Sequence, residues 1–294
     1  MSVQRLQPEC IGCLISKQLH AYPEGTPPEK QLEYMQRFLR LVAEAKHDVG
    51  VPAISRDIKN LKREMFGSQE DYTEIKRYFN ALMLGKETQL QQQVDQADDP
   101  LMLALQYAFV GNYIDFGGAM YKVQEEELNH LLAQAPIFEL NREICEQLRG
   151  ELLTAKRVVY LTDNCGEIVT DKVLLRVIRR MNPSAELIAM VRGMDVLNDA
   201  TRVDAEQVHL SDVAWVMDNG SDVAGTWLED VSEEAKSTLE SADLILAKGQ
   251  ANFETLRGCG MNVFYLFMCK CEMFSKRFQV PRFTGMLVHD RDSQ

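Results

Sequence analysis

The hydrophobic period of this chain changes once, near Gly150, and that change restricts the available folds more than any other feature. From Pro8 to about Leu148, apolar residues recur at helical spacing. Leu32, Met35, Leu39 and Val42 share one face, and Tyr72, Ile75, Phe79 and Leu82 share another. Five to seven helices are expected there. Residues 23–28 carry Pro and Gly and read as a loop, while Asp99 before Pro100 reads as a helix N-cap with proline at the first helical position. Beyond Gly150, short β-rich runs at 157–162, 187–191, 214–217, 244–247 and 263–267 alternate with helix-length segments such as 167–180 and 231–241. Such alternation calls for parallel strands joined by right-handed helical crossovers. The expected class is α/β: a Rossmann-like, mostly parallel sheet flanked by helices over residues 151–294, preceded by an all-helical domain over residues 1–150.

Charge excludes two kinds of partner. The 294 residues carry 44 acidic and 32 basic side chains, a formal charge of −12, and such a field repels nucleic-acid phosphates and anionic membrane surfaces. No apolar run approaches the roughly 20 residues of a membrane span, and residues 1–8 lack the apolar stretch of a secretory signal, so a cytoplasmic protein is expected. Seven cysteines are an odd set in a chain too long to depend on disulfide staples. Cys10 and Cys13 form a Cys-x-x-Cys, and Cys269 and Cys271 a Cys-x-Cys. The four thiolates would suit a structural Zn²⁺ if they met, and the plainer reading is four small buried apolar residues.

Ligands of open α/β sheets bind beyond the carboxyl ends of the strands. Every expected strand delivers polar residues there: Asp163-Asn164-Cys165-Gly166-Glu167, then Arg192 and Asn198-Asp199, then Asp218-Asn219-Gly220-Ser221, then Lys248-Gly249, then Lys270-Cys271. Asp163, Asn164 and Asp199 offer hard oxygen atoms suited to Mg²⁺ or Mn²⁺ rather than to a thiolate-seeking metal, and Cys165 beside them reads as lining. Alone, an Asp-Asn pair after a strand is equally a cap or turn; the second carboxylate at Asp199 favours metal. Gly220, Ser221 and Gly225 offer backbone N–H groups as an anion nest, and Lys248 a point charge, although Gly-Ser and Lys-Gly are common connections. The turn at 165–167 lacks the Gly-x-Gly-x-x-Gly of a dinucleotide fold, and no P-loop sequence is present.

Several of these segments occur together in one family. Leu161-Thr-Asp-Asn-Cys-Gly-Glu-Ile-Val-Thr-Asp171, Asn198-Asp199-Ala200-Thr201, Asn219-Gly220-Ser221-Asp222 with Gly225, and Lys248-Gly249-Gln250-Ala251-Asn252-Phe253-Glu254 resemble the metal-dependent damage-control phosphatases, formerly domain of unknown function 89. In the first half, Glu9-Cys10-Ile-Gly-Cys13 and Gly111-Asn112-Tyr-Ile-Asp115-Phe-Gly117 are similar too, the Cys-x-x-Cys form matching the stand-alone prokaryotic branch. Ala251 departs from the pattern, a glycine being more usual there.

The resemblance implies hydrolysis of small phosphate monoesters, sugar phosphates or damaged phosphometabolites, by metal-assisted in-line attack of water, with one divalent ion (Mn, Mg, Co or Ni). By position Asp163, Asn164 and Asp199 match the metal ligands. Glu167 matches a catalytic position near the cleft, and Lys248 the phosphate-binding lysine. Asn112, Asp115, Gly220, Ser221 and Asn252 fall at substrate-side positions. The expected partner is therefore a small phosphorylated metabolite. A reading from another class stays open: a non-enzymatic metabolite-binding or cysteine-zinc scaffold protein.

Overall fold

In a computed structural model, residues 5–67, 71–113 and 125–292 are described. The chain divides into two compact units, Met1–Asp71 and Tyr72–Gln294. The first holds helices α1 (Pro8–Gln18), α2 (Pro28–Glu44) and α3 (Val51–Phe66). Proline occupies the first turn of each, where its missing N–H is no loss. The inward face of α2 is Tyr34, Phe38 and Val42, whereas Leu32 and Leu39, expected inside, are exposed. The helix turns its aromatic stripe inward because Tyr34 packs on Phe38 and Phe66, and its hydroxyl donates to Gln18 Oε1 at 2.6 Å.

The second unit begins with α4 (Thr73–Gln96), α5 (Pro100–Gly111), α6 (Glu125–Gln134) and α7 (Arg142–Thr154). Asp99 caps α5 as expected, accepting Met102 N–H at 3.0 Å, with Pro100 at the first position. Then come β1 (Arg157–Leu161), α8 (Glu167–Met181), β2 (Glu186–Val191), α9 (Arg202–Gln207), β3 (Trp215–Asp218) and α10 (Glu233–Glu240). The unit closes with β4 (Leu244–Lys248), α11 (Gln250–Leu256), β5 (Val263–Met268), α12 (Glu272–Phe278) and β6 (Gly285–His289). The strands form one six-stranded sheet in the order β3-β2-β1-β4-β5-β6. All neighbours run parallel except β5 and β6, which are antiparallel. The α/β class holds. Each of the five expected strands lies within one residue of its observed ends; β6 went unread.

Both faces of the sheet are covered, so its central strands are continuously apolar instead of alternating. Val158, Tyr160, Leu246 and Phe264 join a core with α5, α7 and α8, while Val159, Leu161, Ile245 and Tyr265 face a second core with α10, α11 and α12. Helices α4, α5 and α7 all pack on α8. The division into compact units falls at Asp71, and the change from helices to strands follows Thr154. Strand order reverses between β1 and β4, and ligands of such sheets bind at that reversal.

Candidate functional site

The turn leaving β1 carries Asp163 and Asn164, and Gly166, at φ 72°, opens α8 with Glu167 as its first residue. A second turn, after β2, lies against it: Cys165 N–H donates to Asn198 O at 2.8 Å, and Ala200 N–H to Asp163 O at 2.7 Å. Asn164 and Asp199 pair as an isolated antiparallel bridge, which sets both side chains on one side. Asp163, Asn164, Glu167 and Asp199 are all buried. Four of the expected positions thus come together although they derive from two loops.

Amide groups knit the carboxylates. Asn164 Nδ2 donates to Asp163 Oδ2 and to Glu167 Oε2, both at 2.9 Å. Asn112, the C-terminal cap of α5, donates from Nδ2 to Asp163 Oδ2 at 2.9 Å and to Glu167 at 3.1 Å, while its Oδ1 accepts Met268 N–H at 3.3 Å. Asn112 therefore faces the carboxylates themselves. Asp115 lies outside the described residues. Gly249 follows β4 at φ 80°, and a Cβ there would stand 2.0 Å from Asp163 Oδ2. Only glycine lets the backbone approach that carboxylate so closely.

Lys248 is wholly buried, and its ammonium donates to Ala108 O at 2.8 Å, to Asp171 Oδ1 at 2.9 Å and to Glu167 Oε1. An ammonium has three protons, and all three are committed to the protein. In this structure, then, Lys248 holds Glu167 in place and does not present a charge for phosphate. Burial alone would favour the neutral amine, but the pull of Asp171 and then Glu167 holds Lys248 above the ordinary lysine range. Tyr160 donates to the same Asp171 oxygen at 2.7 Å. Desolvation raises the Asp171 carboxyl to about 6 against the pull of Lys248. Its other oxygen is buried without a hydrogen-bond partner.

Three residues unassigned from the sequence belong to this pocket. Arg192, almost fully buried at the end of β2, donates from Nε to Asp199 Oδ2 at 2.6 Å. Asp171 follows Glu167 by four residues, one helical turn, a spacing that would have placed both on one face of α8. Lys270, half-buried at the end of β5, is near enough to Asp163 to oppose the upward shift of its carboxyl. That shift is strong: desolvation raises Asp163 well above the carboxylate range, and the charges of Glu167 and Asp199 add to it.

These features bear on whether a divalent cation fits. Four buried carboxylates, Asp163, Glu167, Asp171 and Asp199, gather here; Lys248 pairs with Glu167 and Asp171, and Arg192 with Asp199. Burial and mutual repulsion disfavour the charged forms of such carboxylates, and a divalent cation among them would oppose both. The N–H₂ ends of Asn112 and Asn164 fill the gap between carboxylates; reversal of the Asn164 amide would present an oxygen instead. No three His, Cys, Asp or Glu side chains converge as a ready-made metal cluster among the described residues. The donor set here mixes carboxylates with amides, as hard cations accept.

The remaining expected positions are spent internally. Gly220 N–H donates to Asp218 Oδ1 at 3.1 Å and Ser221 N–H to Asn219 Oδ1 at 3.0 Å, so the anion nest is closed by its own loop. The Ser221 hydroxyl donates to Asp230 at 2.6 Å and accepts Val223 N–H at 3.0 Å. Asn252 donates to Lys248 O at 2.7 Å and accepts the Thr226 hydroxyl at 2.8 Å, bracing the loop after β3 against β4. Ala251 lies in the first turn of α11, where helical backbone accommodates its Cβ, and its carbonyl abuts Gly225.

All seven cysteines are free. Cys10 is buried and Cys13 exposed on α1; Cys269 is buried with its sulfur 3.6 Å from Ser275 Oγ, and Cys271 is half-buried. Burial pushes the Cys269 thiol up, away from the thiolate that zinc requires. The four-thiolate zinc site is not formed among the described residues. Cys165 is likewise a buried thiol shifted upward by desolvation. No helix among the described residues is long and apolar enough to cross a membrane.

Comparison with known proteins adds the following. The profile of the damage-control phosphatase ARMT1-like domain matches residues 6–284. A damage-control phosphatase of Archaeoglobus fulgidus is 31% identical over 277 residues, 91% of this chain and 93% of that one. A damage-control phosphatase of Pyrococcus horikoshii is 29% identical over 293 residues, 97% of each. The crystal structure of a DUF89 family protein from Pyrococcus horikoshii shares the fold, with a TM-score of 0.80 at 24% identity over 97% of this chain and 99% of that one.

Proposed function

The chain belongs to the damage-control phosphatase ARMT1-like family, and from that premise we propose that it hydrolyses small phosphate monoesters, sugar phosphates or damaged phosphometabolites, with a divalent cation at the switch point of its sheet. One observation carries the reading. Buried Asp163, Glu167 and Asp199 lie so close that burial and the two neighbouring charges together push the Asp163 carboxyl well above the carboxylate range. A cation of Mn²⁺, Mg²⁺, Co²⁺ or Ni²⁺ type would be held by Asp163, Asn164 and Asp199, and when bound it supplies Lewis-acid polarisation of a phosphoryl oxygen.

The protein's own groups do the rest. Arg192 orients Asp199, Asn112 orients Asp163, and Lys248 orients Glu167 against both. Lys270, half-buried after β5 and near enough to Asp163 to act on its charge, would help to offset charge on the transferring phosphoryl group. Water displaces the alcohol in line, the bond from phosphorus to the leaving oxygen breaking as the new one forms.

Phosphate release from p-nitrophenyl phosphate and a panel of sugar phosphates tests this, with chelator or with each of the four metals. Turnover that appears with at least one metal and vanishes with chelator is expected. No release from any ester with any of the four would overturn the reading.

A further inference from the structure

We infer that Asn80, on α4, is the positioning residue that sets the two cation-holding turns against each other. The inference rests on the cation reading above. The expected apolar face of α4 is only partly buried: Phe79 is inside and Ile75 exposed, while Lys76 and Asn80 turn inward. Burying an amide and an ammonium on one helix face is costly unless each finds partners. Both do, and all the partners belong to the two turns or to the helix that follows the second.

Asn80 Oδ1 accepts Gly166 N–H at 2.6 Å, in the turn bearing Asp163 and Asn164. Its Nδ2 donates to Asp204 Oδ1 at 2.8 Å and to Gln207 Oε1 at 3.0 Å, on α9 immediately after Asp199. Asp204 is fixed in turn. Its Oδ2 accepts the Thr201 N–H and hydroxyl, both at 2.8 Å, closing a capping box, and pairs with Lys76 Nζ at 2.8 Å. One wholly buried amide thus joins the first turn to the helix that follows the second. Outer partners that orient ligand-bearing groups typically contribute 10- to 100-fold to metal affinity.

Titration with Mn²⁺ alone, followed by electron paramagnetic resonance of the free ion, reads this separately from catalysis. Asn80→Ala is expected to weaken Mn²⁺ binding about tenfold. Asn80→Asp keeps an acceptor for Gly166 but sets a carboxylate against Asp204, and is expected to weaken it similarly. Met83→Ala, a buried truncation three residues along the same helix, controls for lost stability and is expected to lower Tm while leaving Mn²⁺ affinity unaltered. Unchanged affinity in both Asn80 variants would overturn the inference, as would equal weakening in Met83→Ala at a matched fall in Tm. An unaltered protein that binds no Mn²⁺ would overturn the cation reading, and this inference with it.

Discussion

An Asp-Asn pair stands at the carboxyl end of both β1 and β3, Asp163-Asn164 and Asp218-Asn219, and the two pairs meet opposite fates. Strand β1 is central, so Asp163 is enclosed by the neighbouring strand ends and buried beside the charges of Glu167 and Asp199. Strand β3 is the sheet edge, so Asp218 stays half-exposed, pairs with Arg202 and accepts Gly220 N–H. Asn219 Oδ1 accepts the Ser221 N–H at 3.0 Å, the local capping common to Asx residues, and the Gly193 N–H of the loop after β2 at 2.9 Å. Polar letters at a strand end therefore do not make a site. Carboxylates buried side by side do, and place in the sheet decides which arises.

The largest effect should separate the two aspartates. Asp163→Ala is expected to lower metal-dependent turnover by roughly a thousandfold, since its oxygen organises the cation and the transition-state charge. Asp218→Ala should stay within about twofold, because an exposed ion pair contributes little. Measuring kcat/KM for both at saturating Mn²⁺ checks this; comparable losses would abolish the distinction drawn here.

A smaller but still large effect contrasts the two lysines. Lys248→Met strands Glu167 and Asp171 in a buried space, and breaking such a pair typically destabilises by about 3–5 kcal/mol. Lys270→Met should lower Tm much less than Lys248→Met does and raise KM for phosphate esters. Urea unfolding beside steady-state kinetics tests the pair. If Lys248→Met kept full stability and lost only substrate affinity, the phosphate role expected of it from the sequence would stand after all.

The smallest effect belongs to the β3 loop. Ser221→Ala removes hydrogen bonds to Asp230 and Val223, worth about 1 kcal/mol each, and is expected to lower Tm slightly with turnover unchanged. A fall in kcat/KM at unchanged Tm would restore Ser221 to the substrate side.

Much of the fold was legible because continuous apolar runs of strand length alternate with helical spacing, and each of the five expected strands matches within one residue. Strand β6 escaped because its five residues follow a short Pro-bearing stretch and it pairs antiparallel at the edge, outside the repeating pattern. On α2 and α4 the periodicity was right and the phase was not. Aromatic packing drew Tyr34 and Phe38 inward, and the polar Asn80 and Lys76 were buried by distant partners that no local window contains.

At the site, the sequence by itself determined which chemistry is present: hard oxygen donors after β1 and β2, a glycine where backbone must approach, a lysine at the end of β4. Tertiary structure alone decided which of these groups are left with charge to spare. Lys248 reads as a phosphate ligand in one dimension and is consumed in three, because Asp171 and Ala108 reach it from α8 and α5. Gly220, Ser221 and Asn252 are likewise absorbed by contacts across loops. The reason is physical: residue type fixes how many donors and acceptors a side chain has, whereas their satisfaction depends on neighbours brought together by the sheet from across the chain.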